Sequence, residues 1–300
     1  CAAPAACNEN FVCAETDAAT GLTWISVPGG SFQMGCTSGV DPHCDLDEDP
    51  AHPVMVTPFE ILETEVTEGQ YLSVIGEEPS AEAAGASAPV ENLNWSQAQA
   101  FCEAAGGRLP TEAEWEYAGR GETTTTWACG AQSSCLDAYA LYNGNSDGTK
   151  ADTRGKAPNA FGLYDMSGNV WEWVGDWYSE SYYTTTPQEN PGGPPSGIGR
   201  TIRGGSAGDG IGALASHART YQPEATPSGL TGFRCVRGGY TCVPACADKA
   251  CGDDGCGGSC GECSGGLSCV GDVCACGSGV TCIDGCCPLA TDTCDSGGLC

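Results

Sequence analysis

Positive charge is scarce in this chain. Lys and Arg together number 11 against 39 Asp and Glu, for a formal charge of −28. Such a surface repels phosphate backbones and anionic lipid heads, which excludes nucleic acid and bare membrane as partners. No apolar run approaches the roughly 20 residues that span a bilayer. Histidine is limited to His43, His52 and His217, too few for a multi-histidine metal centre. No charged-then-apolar leader opens the chain, so it reads as a processed mature form. The 45 Gly and 18 Pro rule out a coiled coil or helical bundle, while 40% apolar residues rule out full disorder.

Cysteine is what the chain has in excess, 23 of 300 residues. That many thiols belong to an oxidising compartment, so the expected location is extracellular or on the cell surface. Their density divides the chain into a Cys-containing arm (1–20), a middle domain (21–239) holding all seven Trp, and a Cys-rich segment (240–300). The last has too few large apolar residues to bury a core and reads as a small disulfide-rich module. Its C-x2-C at Cys260 and Cys263 has zinc-like spacing, but the segment lacks histidine and has an even cysteine count, so disulfides are the better reading. Its connectivity does not follow from the sequence.

Nine cysteines precede Tyr240. Cys36 and Cys44 flank a short acidic loop, Cys129 and Cys135 flank another turn, and Cys7 with Cys13 closes the arm. Cys102 and Cys235 remain and would tie a helix to the last core strand. Cys1 is then odd, open to a lipid anchor or an intermolecular bond.

Capping boxes at Thr67–Gln70, Ser96–Gln99 and Thr111–Glu114 predict helices over 68–76, 96–105 and 112–119. Apolar and β-branched stretches predict strands at 22–27, 54–63, 170–174 and 232–237, with Gly/Pro/Asn/Asp-rich loops between them. The fold class is α+β and loop-rich.

The stretches WISVPGGSFQMG (24–35), DEDPAHPV (47–54), ETEVTEGQY (63–71), residues 89–121, NAFGLYDMSGNVWEWVGDWY (159–178), RGGS (203–206) and GFRCVR (232–237) carry a family resemblance. The domain resembles the formylglycine-generating-enzyme (sulfatase-modifying factor) family, which implies a C-type-lectin-like fold. In some members the cysteines matching Cys102 and Cys235 are bonded, in agreement with the pairing above. The oxidase members use two cysteines shortly after RGGS to bind copper. A gapless count puts Asp209 and Leu214 there, and no cysteine lies between Cys135 and Cys235. Without two soft thiolates the copper chemistry is lost, and the expectation is no copper and no catalysis. The histidine cluster of the iron-dependent branch is missing too. His52 falls in a stretch common to the family and reads as structural. Asp209, His217, Ser206 and Ser216 lack the nucleophile-elbow context that a Ser/His/Asp set needs.

Calcium is the metal the resemblance implies, as one or two ions. The first would use Asn143, Gly144 (carbonyl), Asp147 and Thr149 (carbonyl), where alternating oxygen side chains precede a glycine as in half an EF-hand loop. The second would use Asp165, Gly168 (carbonyl), Val170 (carbonyl) and Glu172. The acidic residues between Asp41 and Asp49 read as a solvated loop, and Trp171, Trp173 and Trp177 as core.

The leading functional expectation is a non-catalytic structural protein, calcium-stabilised and cross-linked, partnered by itself or by another surface protein. The alternative is a lectin-like binding module for a glycan, peptide or protein, using the 207–230 loops with Asp209, His217 and Tyr221 as ligand surface. A copper oxidase comes last.

Overall fold

The computed structural model describes residues 6–7, 13–81, 84–186, 188–238, 268–270 and 273–275. The chain divides into two compact units, Cys1–Tyr240 and Thr241–Cys300.

The first unit opens with β1 (Ala6–Cys7), β2 (Cys13–Thr16), β3 (Thr23–Val27), β4 (Gly30–Met34), β5 (His52–Val56) and β6 (Phe59–Leu62). Three helices follow, α1 (Glu68–Ile75), α2 (Trp95–Ala104) and α3 (Glu112–Arg120), with a single turn, α4 (Leu136–Tyr139). The unit closes with β7 (Trp171–Trp177), β8 (Arg200–Arg203), β9 (Arg219–Gln222), β10 (Thr231–Phe233) and β11 (Val236–Gly238). One sheet has the order β1-β2-β3-β6-β11 and a second β10-β7-β8-β9, while β4 and β5 form a separate ribbon. No described helix is long and apolar enough to cross a membrane.

The central strands are buried on both faces. Ile25 and Val27 of β3 and Ile61 of β6 enter one core with Met34, Trp115 and Phe161. Trp24 and Leu62, on the opposite faces of the same strands, enter a second core with Phe101, Trp173 and Phe233. A sheet covered on both sides reads as a continuous apolar run rather than an alternating one, which is why 22–27 was legible. The expected strand at 54–63 is two strands, because Thr57 and Pro58 bend the chain out of β5 before β6 begins. Likewise 232–237 splits into β10 and β11, which pair with different sheets.

The helix starts follow cap chemistry. Thr67 and Thr111 each accept from the third helical N–H, and the side chains of Gln70 and Glu114 reach back. The second cap is Asn94 with Gln97, not Ser96 with Gln99. Two overlapping capping frames compete there. The earlier one wins as Trp95 donates its indole N–H to Val174 O at 2.8 Å.

Cys102 and Cys235 are bonded, as are Cys36 with Cys44 and Cys129 with Cys135. With a sequence separation of 133, the Cys102–Cys235 bridge stabilises the fold by about 5 kcal/mol on a chain-entropy model. Cys13 is disulfide-bonded, and the backbone register sets it opposite Cys7. β2 pairs with β3, so residues 13–16 belong to the first sheet rather than to a free arm. Cys1 and the side chain of Cys7 lie outside the described residues. Of the second unit, only a hairpin is described, β12 (Ser268–Val270) with β13 (Val273–Ala275). The remaining expectations for 240–300 lie outside the described residues.

Candidate ligand cleft

Helix α3 is the foundation of the site, buried over every residue from Glu112 to Arg120. Burying a carboxylate is costly unless it is paired and hydrogen-bonded. Glu116 meets that condition. Its Oε1 accepts from Arg120 Nη2 at 2.7 Å and from Gly35 N at 2.9 Å, and its Oε2 accepts from Arg203 Nη2 at 2.5 Å. Burial alone would push the Glu116 carboxyl up, but Arg120 and Arg203 outweigh it and hold it below its ordinary range. One turn earlier, Glu112 takes both arms of the Arg219 guanidinium at 2.7 and 2.9 Å. Arg219 is also clamped between the Tyr178 and Tyr183 rings, 4.7 and 4.5 Å from their centroids.

Arg203 extends this network into the loop before β9. It donates to the carbonyls of Ser216, His217 and Ala218 at 3.0, 2.8 and 2.6 Å. The segment thus held forms one wall of a cleft of about 590 Å³. Ala218, Arg219 and Thr220 line it together with His43, Asp45, Glu48, Trp171, Asp209, Gly212 and Ala213.

Asp209 is fixed in that wall. Its Oδ2 accepts from the Trp171 indole N–H at 2.9 Å, from Ser206 N at 3.0 Å and from the Ser206 hydroxyl. Leu214, the other position that the resemblance marks for a cysteine, is 1% exposed and packs with Trp127, Leu136 and Ala140. The expected 207–230 loops do line the cleft, but of the three residues named on them Asp209 alone does. His217 is 2% exposed and contacts Glu48 through Nδ1 at 2.8 Å. Tyr221 is exposed and stacks on Tyr178 with centroids 4.8 Å apart. The three do not share one surface.

Two further expectations change. Glu48 is not solvated; it is 2% exposed and accepts from Asp45 N and Arg219 N. Trp173 is core, whereas half-buried Trp171 faces the cleft, and Trp177 stacks on Arg200, whose other face meets Trp95. His52 bonds Pro50 O through Nδ1 and packs edge-on against Tyr183, a structural role. Sequence reasoning missed His43, Asp45, Glu48 and Arg219. No spacing connects them, because 171 residues separate Glu48 from the Arg219 N–H it accepts.

The two calcium sets are placed differently. Asn143, Gly144, Asp147 and Thr149 all lie exposed in one loop. There the Thr149 hydroxyl donates to Asp147 Oδ1, and the Asp147 carboxyl is held below its ordinary range by that bond. Asn145, between them, is consumed by the turn: its Oδ1 accepts from Tyr142 N and its Nδ2 donates to Ala140 O. Hard oxygens open to solvent fit a calcium ion.

The second set is buried and already engaged. Glu172 accepts from Arg234 through both oxygens, at 2.8 and 2.7 Å, and from the Trp115 indole at 2.8 Å. Asp165 Oδ2 accepts from Arg154 N at 2.7 Å. Gly168 sits at φ +88° with Leu141 O where a Cβ would lie. Burial pushes the Asp165 carboxyl up to about 6. Burial, with Asp165 and Glu172 adding to it, pushes the neighbouring Glu65 well above the carboxylate range. A cation here fits the local charge excess but must compete with Arg234 for Glu172.

The sulfatase-modifying factor enzyme 1-like domain profile matches residues 11–238. This chain belongs to that family. It is 31% identical over 280 residues to the formylglycine-generating enzyme of Streptomyces coelicolor, covering 71% of this chain and 88% of that protein. It is 32% identical over 247 residues to the serine/threonine-protein kinase pkn1 of Chlamydia pneumoniae, covering 71% of this chain and 37% of the kinase. Among solved structures, Treponema denticola variable protein 1 superposes with a TM-score of 0.66 at 28% identity, covering 72% of this chain and 95% of that one. The family domain is therefore shared by formylglycine-generating enzymes and kinase-associated proteins. The α+β, C-type-lectin-like fold follows from this membership.

Proposed function

We propose that this chain is an exported, non-catalytic member of the family whose cleft binds a ligand instead of oxidising one. The observation that carries the reading is Asp209, a carboxylate hydrogen-bonded into the wall of an open cavity. It stands where the family resemblance calls for a thiolate. Its counterpart, Leu214, is buried away in an apolar cluster. A carboxylate and a buried alkyl group do not hold Cu(I), which prefers soft sulfur.

The chemistry of the cleft favours a basic peptide segment. Asp45, Glu48 and Asp209 face the cavity, and the one lining guanidinium, Arg219, is already neutralised by Glu112. A negative cavity beside the Trp171 indole suits a Lys or Arg side chain, drawn by charge and by the ring face. The three disulfides joining described residues, with bonded Cys13, favour an oxidising location. The Cys-rich segment serves attachment, either to further copies or to another surface protein.

The test uses the full chain with fluorescent basic and neutral peptides of equal length. Saturable binding of the basic peptide, weakened by salt and reduced about tenfold or more by Asp209→Ala, supports the reading. Copper-dependent oxygen uptake with a cysteine peptide overturns the non-catalytic part. Basic-peptide binding that ignores Asp209→Ala overturns the choice of cleft, and retention on a glycan array alone replaces the peptide by a glycan.

A further inference from the structure

Cys36 and Glu48, 12 residues apart, converge with His217, 169 residues beyond Glu48, at the wall of the cleft. Each offers one ligand atom, and these atoms lie within 4.8 Å of one another. All three residues are buried, at 1%, 2% and 2% exposure. Glu48 Oε2 stands 3.6 Å from Cys36 Sγ and 2.8 Å from His217 Nδ1. A tetrahedral zinc ion with ordinary bond lengths keeps a sulfur and an oxygen ligand about 3.5 Å apart, and a nitrogen and an oxygen ligand about 3.4 Å apart. The sulfur–oxygen edge is therefore already in place, and the nitrogen–oxygen edge has to open by about half an ångström.

A second observation concerns the same histidine. His217 Nε2 is buried without a hydrogen-bond partner. Buried polar atoms are normally satisfied; this is the ring nitrogen that does not bond Glu48, and the site would use Nδ1.

What blocks the site is a covalent bond. Cys36 is joined to Cys44, and a disulfide sulfur is not the thiolate that ligates metal. We propose that the Cys36–Cys44 disulfide masks a latent site for zinc, or for another divalent ion that accepts thiolate, made of Cys36, Glu48 and His217. Opening it takes two electrons and two protons from an external dithiol, which is itself oxidised to a disulfide. The S–S bond breaks, both cysteines become thiols, and metal binding releases the Cys36 proton to solvent. The fourth coordination position is left for water. Disulfide and metal are mutually exclusive occupants.

The site also connects to the cleft. The Glu48 carboxylate holds Asp45 N at 3.1 Å and Arg219 N at 3.2 Å, and Asp45 and Arg219 both line the cavity. Drawing Glu48 onto an ion moves two points of the cavity wall.

Wholesale reduction would also free the cysteines of 240–300, so the test opens this disulfide alone. The full chain carrying Cys44→Ser, purified without reductant, is titrated with Co²⁺. The expected result is one equivalent bound, with a thiolate-to-cobalt charge-transfer band in the near ultraviolet and displacement by Zn²⁺. Adding His217→Ala weakens binding by about tenfold or more, and Cys36→Ser, which leaves Cys44 as the free thiol, shows no band. Absence of the band in Cys44→Ser, or a band of equal strength in either control, overturns the proposal. Should Cys44→Ser not fold, the wild-type chain is treated with mild dithiol, then alkylated with and without Zn²⁺ and mapped peptide by peptide. Zinc protection of Cys36 supports the site, and equal alkylation overturns it.

Discussion

Arg203→Met tests whether the buried ion network sets both the stability of the domain and the shape of its cleft. The Arg203 side chain is fully buried, paired with Glu116 at 2.5 Å and bonded to three carbonyls of the 216–218 segment. Methionine retains much of the apolar stem and removes the charge. Glu116 keeps Arg120 and Gly35 N, so it is not stranded, but one oxygen and three carbonyls lose their donor. Breaking a buried pair in this way costs about 3–5 kcal/mol, a large share of a typical stability of about 5–15 kcal/mol. At about 2–4 °C per kcal/mol for a domain of this size, melting should fall by about 6–20 °C. The assay is urea unfolding of the non-reduced full chain, followed by tryptophan fluorescence, with an unchanged slope as the check that stability alone has moved. Arg203→Met combined with Glu116→Met should not recover the loss, because Arg120 is then buried without its carboxylate. A loss below about 1 kcal/mol, or a double variant more stable than the single one, would refute the account.

Three further outcomes are expected. The depressed Glu116 carboxyl contributes stability that is fully present above the ordinary carboxylate range and is lost as pH falls through its lowered folded value. Acid unfolding of Glu116→Gln should therefore be shallower than wild type, and parallel curves would remove Glu116 from the cause. Calcium at a hundredfold excess over its dissociation constant should stabilise the chain by about 2.7 kcal/mol relative to chelator, a rise in melting temperature of about 5–11 °C. Asp147→Ala should abolish that rise if the ion sits in the exposed loop, and an unchanged melting temperature in calcium would exclude both sets. In the cleft, Asp209→Asn, which removes the charge but keeps an acceptor for Trp171 and Ser206, should weaken basic-peptide binding while leaving urea unfolding within about 1 kcal/mol of wild type, and a larger loss would make Asp209 a structural residue instead.

The elements that could be read directly are those governed by neighbours in the chain. Thr67 with Gln70 and Thr111 with Glu114 are local exchanges of hydrogen bonds, and they start helices wherever they occur. The frame at Asn94 slipped because two equivalent caps overlap and a contact 79 residues away decides between them. β8 was not legible at all. Its sequence Arg-Thr-Ile-Arg is buried throughout, against the rule that arginine stays at the surface. Arg200 lies between two tryptophan rings and Arg203 against Glu116, and neither partner is near in sequence.

Composition, cysteine density and motif order are properties of the one-dimensional chain. They alone determine the family framework, the absence of a thiolate pair after RGGS and the division into a cored domain and a Cys-rich segment. Which side chains face a common space was decided only in three dimensions. Asp209 lies in the cleft while Leu214 does not, Glu48 is buried rather than solvated, and His217 reaches Cys36 rather than Tyr221. The reason is the scarcity of regular structure: long loops carry these residues, and their placement depends on buried ion pairs between segments more than 80 residues apart, which no local periodicity records.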